Sequence, residues 1–179
     1  MTRSELLELY SRAYNDLISA LEEIPKEMWL YKPAPNKWSV HEVLIHIADS
    51  EVNSFARARK RIGESGATIM AYDENAWANK LGYHSQNIED SLELFRQLRM
   101  MTYNVIKNLP EETWLNFIIH PENGKMTLDD WLRVYADHIP VHINQIKRNL
   151  DGWKRIKAHP RLERQVGRAN PSQRRLSHN

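Results

Sequence analysis

Residues 127–153 read TLDDWLRVYADHIPVHINQIKRNLDGW, and the spacing of their large side chains decides the fold. Leu128, Trp131, Tyr135, His138, His142, Ile146 and Leu150 recur at three- and four-residue steps, which places them on one face of an α-helix. Thr127 with Asp130 three residues on is the signature of a helix N-terminus, so a helix is predicted from Thr127 to about Leu150 or Trp153. Pro140 lies inside it, cannot donate a hydrogen bond to the Ala136 carbonyl, and is expected to interrupt or bend it. His138 and His142 stand at i and i+4 on the inward face. Their Cβ atoms then lie about 5–6 Å apart, close enough for both imidazoles to reach one ion at roughly 2.0–2.1 Å.

Working outward, three further stretches share this period. Leu6, Leu7, Tyr10, Tyr14, Leu17, Ile18 and Leu21 predict a helix over about Ser4 to Glu23, closed by Pro25. Ser39 and Glu42 form a capping box ahead of Val43, Leu44 and Ile47, starting a helix that runs to about Ile62 and ends at Gly63 and Gly66. Leu92, Phe95, Leu98, Thr102, Val105, Ile106 and Leu109 predict a third helix from about Ile88 to Leu109, ended by Pro110. The connection carrying Tyr72, Asp73, Glu74, Asn75 and Trp77 is long for a compact domain, and its aromatics suit a packed lid. A turn around Asn123 and Gly124 allows a short hairpin in the next connection. The expected fold is all-α: an up-down four-helix bundle with long connections over residues 1–157, followed by a basic tail at 158–179.

Composition narrows the function. The chain of 179 residues is 41% apolar and 27% charged, as expected of one soluble globular domain. It has no cysteine, which excludes disulfides and thiolate metal sites and leaves His, Asp and Glu as ligands. No apolar run approaches the roughly 20 residues of a membrane span, and no secretory core follows Met1, so a cytoplasmic location is expected. From Trp153 onward eight Lys or Arg face Glu163 alone. With Pro160, Pro171 and few apolar residues, that tail reads as a solvated or partner-docking extension, and nucleic-acid binding is not expected.

Of the eight histidines, His41, His84, His120, His159 and His178 have no partner at ligand spacing. His46 lies at the edge of the stripe set by Val43, Ile47 and Ser50, on the helix expected to face His138 and His142. Inward imidazoles are costly without compensation, so the three are either core histidines satisfied by hydrogen bonds or one metal site. Glu51 projects near the same stripe and is the candidate general base or orienting carboxylate; Asp49 is expected to cap, pair or face solvent. Gln145 and Tyr135, one turn from the histidine pair, are candidate lining residues.

Trp38-Ser39-Val40 leading into His46-Ile47-Ala48-Asp49-Ser50-Glu51, then Asp137-His138 and His142-Ile143-Asn144-Gln145-Ile146, resemble the DinB/YfiT-like superfamily. Tyr72 to Trp77 resembles its YfiT branch, and the similarity spans about Ser4 to Trp153. The resemblance implies a four-helix bundle with one divalent metal (Zn, Ni, Mn or Fe) on His46, His138 and His142. It further implies a small-molecule substrate, with transfer of a low-molecular-weight thiol such as bacillithiol to an electrophile as the favoured activity. Metal-dependent hydrolysis and a non-catalytic metal-binding stress-response or scaffold role are the alternatives, and a homodimer is expected. Three neutral ligands leave a coordination position open, as in catalytic sites.

Overall fold

The computed structural model describes residues 1–158, and the four periodic stretches are its long helices. In chain order these are α1 (Arg3–Glu22), α2 (Val40–Gly63), a short α3 (Glu74–Lys80), α4 (Ile88–Ile106) and α5 (Leu128–Ala158). Each start is locally encoded. Thr2 with Glu5 and Ser39 with Glu42 form reciprocal capping boxes, and Thr127 with Asp130 does the same through a shorter carboxylate. Asp73 caps α3 and Asn87 caps α4. The tail expected from residue 158 lies, apart from Ala158 itself, outside the described residues.

Two expectations for the last helix need correction. It continues to Ala158, beyond Leu150 or Trp153, and it is continuous through Pro140. The missing bond to the Ala136 carbonyl is absorbed because this segment is packed on its inward side, with Ala136 and Ile139 fully buried. The adjacent Tyr135 carbonyl accepts a hydrogen bond from Arg99 of α4 at 3.1 Å.

The bundle is as expected, with one refinement in helix direction. Leu6 clusters with Ala58 and Leu17 with Val43, so α1 and α2 are antiparallel. Arg61 meets Thr127 while Asn149 meets Trp38, so α2 and α5 are antiparallel as well. His41 at the start of α2 bonds the Gln86 carbonyl just before α4, so α2 and α4 run parallel. Arg3 pairs with Asp129 and Lys157 with Glu27, making α1 and α5 parallel too. The order is therefore up-down-down-up rather than simple alternation, and residues 64–87 must return the chain along the length of α2, about 36 Å for its 24 residues.

That return segment is a structured strap. Its first part pairs with the hairpin β1 (Phe117–His120) and β2 (Gly124–Thr127), through Gly66 N–H to the Phe117 carbonyl and Ile69 N–H to the Ile119 carbonyl. Gly124 closes the hairpin with φ of 69°, a conformation glycine adopts without a Cβ penalty. The strap then forms α3 and a 3-10 turn at Tyr83–Ser85. No helix among the described residues is long and apolar enough to cross a membrane.

Two apolar clusters fill the bundle. One contains Leu17, Val43, Ile47, Phe95, Ile139 and Ile146; the other contains Leu6, Ala58, Ile106, Leu128, Trp131 and Leu132. Polar side chains are gathered between them, on the middle of α2 and α5.

Candidate metal centre

His46 from α2 and His138 and His142 from α5 converge as the capping and stripe positions require. One ligand nitrogen from each lies within 4.8 Å of the others. The Nε2 atoms of His138 and His142 are 3.1 Å apart. Tetrahedral coordination with metal–nitrogen bonds of roughly 2.0–2.1 Å calls for nitrogens about 3.3 Å apart, so this pair is already near ligand spacing. His46 packs its ring 4.9 Å from that of His142 and 5.5 Å from that of His138.

The chemistry of the donors suits a cation. Burial pushes His46 down to about 3 and holds His138 and His142 below the usual imidazole range, and His142 further discourages His46 and His138 from taking a proton. All three are neutral at pH 7, with lone pairs available. His142 Nδ1 is 2.9 Å from Gln145 Oε1, an acceptor, so the ring N–H sits on Nδ1 and Nε2 faces His138 as the free base. Gln145 is thus an orienting residue rather than a lining one. His46 Nδ1 is buried with no hydrogen-bond partner, an orphan that a core histidine would be expected to satisfy. These observations fit a metal site better than a hydrogen-bonded core cluster.

Glu51 is buried beside this layer, with its carboxylate turned to other partners. Tyr10 donates to one oxygen at 2.9 Å and Arg99 to the other at 2.6 Å. Arg99 stacks on the Tyr10 ring and bonds the Tyr135 carbonyl, so one network takes a group from each long helix. No hydrogen bond joins Glu51 to the three imidazoles among the described residues. Arg99 is the residue that sequence reading missed, although a signal existed. It stands four residues after Phe95 and three before Thr102, on the buried stripe of α4. Asp49 accepts from the Tyr83 hydroxyl, fastening the strap to α2.

The strap borders the site. Tyr72 stacks on Trp77 with ring centres 4.6 Å apart, and Trp77 packs on the first apolar cluster. The expected lid is therefore packed and carries a helix. On the other side the Trp38 ring lies 4.7 Å from that of His46. Ser50 Oγ is 3.4 Å from His138 Nε2. The Tyr135 ring lies tilted between those of Trp131 and His138, 5.6 and 5.9 Å from them. His41 ties α2 to Gln86, and His120 accepts backbone N–H groups of its own hairpin turn, so neither joins the centre. His159 and His178 lie outside the described residues.

Comparison with known proteins agrees with this picture. A protein of Bacillus subtilis, provisionally named the metal-dependent hydrolase YfiT, is 28% identical over 120 residues, covering 65% of this chain and 67% of that protein. One of Oceanobacillus iheyensis with the same provisional description is 31% identical over 109 residues. That match covers 61% of this chain and spans 63% of the relative's length. The solved structure of the Bacillus subtilis protein, described as having an unusual four-helix bundle topology, superposes with a TM-score of 0.76 at 23% identity. It covers 83% of this chain and 87% of that one, which establishes the shared fold. The sequence profile of the DinB superfamily matches residues 9–146, a span that reaches into all four long helices and includes His46, His138 and His142, and the chain accordingly belongs to that superfamily.

Proposed function

We propose that the chain is a metal-dependent enzyme that joins a low-molecular-weight thiol to an electrophilic small molecule, using one divalent ion held by His46, His138 and His142. The observation that carries this reading is the commitment of Glu51, whose two oxygens are engaged by Tyr10 and Arg99. A bound ion supplies Lewis acidity at the position the histidines leave open, lowering the pKa of a thiol or a water there. A thiol is far more acidic than water to begin with, so a thiol needs far less help from a protein base. A centre with three neutral nitrogens and its buried carboxylate tied up suits the easier nucleophile.

The remaining residues have assignable parts. Trp38 covers one side of the His46 ring, and Tyr72, packed on Trp77, comes close to Ser50. Ser50 Oγ, beside His138, is placed to hold or pass a proton. Glu51 holds the Arg99 charge inside the bundle. Metal-dependent hydrolysis is the second reading, favoured by the provisional names of the relatives.

Protein purified without an affinity tag and loaded with its native metal should consume thiol in the presence of monochlorobimane, across a panel of cellular thiols. Metal-stripped protein and His46→Ala should not. Thiol-independent cleavage of an activated ester would put hydrolysis in its place, and failure of both reactions in metal-loaded protein would favour a binding scaffold.

A further inference from the structure

We propose that Arg57, with the hydroxyls of Tyr135 and Tyr72, forms a subsite for a carboxylate on the small molecule taken at the histidine site. The inference rests on the reading above that this site faces a substrate. Arg57 lies on α2 two turns beyond Ser50, half-buried against the strap. It donates to the Met70 carbonyl at 3.0 Å, reaches the Tyr135 hydroxyl at 3.5 Å, and its guanidinium lies 5.9 Å from the centre of the Tyr72 ring. All three partners are neutral. Arg3, Arg96 and Arg99 each hold a carboxylate, whereas Arg57 makes no ion pair among the described residues. Glu74 on the strap feels its field without pairing to it.

The surroundings deepen this positive field. One turn on, Arg61 is buried and bonded to the carbonyls of Met126, Thr127 and Arg57; desolvation draws it down to about 10. Burial holds His120 below its ordinary range, and Arg57 and Arg61 add to that. Tyr72 places a buried hydroxyl in the same space with no hydrogen-bond partner of acceptable geometry, though Ser50 is close. An arginine has five N–H donors in a planar fork, so Arg57 retains donors for a second acceptor, and a carboxylate matches the fork. The line from Arg57 through Tyr135, whose ring is 5.9 Å from that of His138, connects this subsite to the metal layer.

The test varies both ends of one probe. Zinc-loaded protein is titrated calorimetrically with ω-mercaptoalkanoates of increasing length, the matching ω-mercaptoalkanols, and the alkanoates and alkanols that lack the thiol. At the best chain length the carboxylate should tighten binding about tenfold relative to the alcohol, with or without the thiol. Arg57→Gln should abolish that increment, Arg57→Lys should retain part of it, and metal content and helicity should be unchanged in both. Absence of a carboxylate increment in the unaltered protein, or its survival in Arg57→Gln, overturns the subsite. Loss of the thiol increment alone, with the carboxylate increment intact, counts against the thiol reading of the metal site and leaves the subsite standing.

Discussion

Two polar clusters share the interior of this bundle, and they are built on opposite plans. The Tyr10–Glu51–Arg99 network is charged and almost fully partnered: both carboxylate oxygens are engaged and the guanidinium reaches a backbone carbonyl, with Arg99 Nε alone unpaired. The histidine cluster is neutral, with the His138 and His142 nitrogens facing each other and His46 Nδ1 unsatisfied. Each cluster leaves one buried atom without a partner, so what separates them is charge: the first neutralises its carboxylate with an arginine, while the second turns neutral nitrogens toward one another, a grouping that a bound cation would satisfy. Neighbours on one helix, Glu51 in the first cluster and Ser50 beside the second, therefore serve different purposes.

The comparison breaks first at the charged network. Arg99→Met strands the Glu51 carboxylate in the interior and should lower stability by about 3–5 kcal/mol in denaturant unfolding. The double variant Glu51→Leu with Arg99→Met should recover most of that loss. If the single variant is harmless, the network is not structural. The histidine cluster should respond to metal instead. His142→Ala leaves two ligands and should drop metal content from about one ion per chain to near zero by elemental analysis. At about a hundredfold excess of metal over its dissociation constant, the unaltered protein should gain about 2.7 kcal/mol, seen as a higher melting temperature, and the variant should not.

Acid should separate the clusters further. An unfolded imidazole takes up a proton below about 6.5, whereas His46 in the folded chain holds off until about 3. Within that window the unfolded state binds more protons, so the metal-free protein loses stability as pH falls, by about 2 kcal/mol at pH ~5 for one such group. His46→Phe should flatten that part of the stability–pH curve, and an unchanged slope would show that His46 is not desolvated. The smallest effect belongs to Gln145→Ala, which frees the His142 tautomer and should weaken metal binding about tenfold, with little change in metal-free stability.

Much of this was legible before any coordinates. The capping boxes at Ser39 and Thr127 act within a single turn, and the apolar stripes report burial directly, so helix starts and the inward pair His138 and His142 follow from neighbours in sequence. The helix ends were less legible, because Pro140 suggests a break that packing overrides and the run to Ala158 carries no stop signal. Glu51 was placed near the inward stripe, but its partner was not identified, since a carboxylate there looks the same whether it faces a ligand or an arginine. Arg57 gave no sign at all: an arginine on a helix is ordinarily solvated.

Local sequence by itself determined which segments are helical, that metal ligation must rest on nitrogen or carboxylate donors, and that two histidines share a face. Only the tertiary structure decided that α2 and α4 run parallel, that the return strap brings Tyr72 close to Ser50, the neighbour of His138, and that Arg99 rather than a ligand claims Glu51. The physical reason is range. Caps and periodicity are settled by atoms a few residues apart, whereas helix direction and the choice of a buried partner depend on which distant surfaces pack together, and a single chain's local pattern is compatible with several such packings.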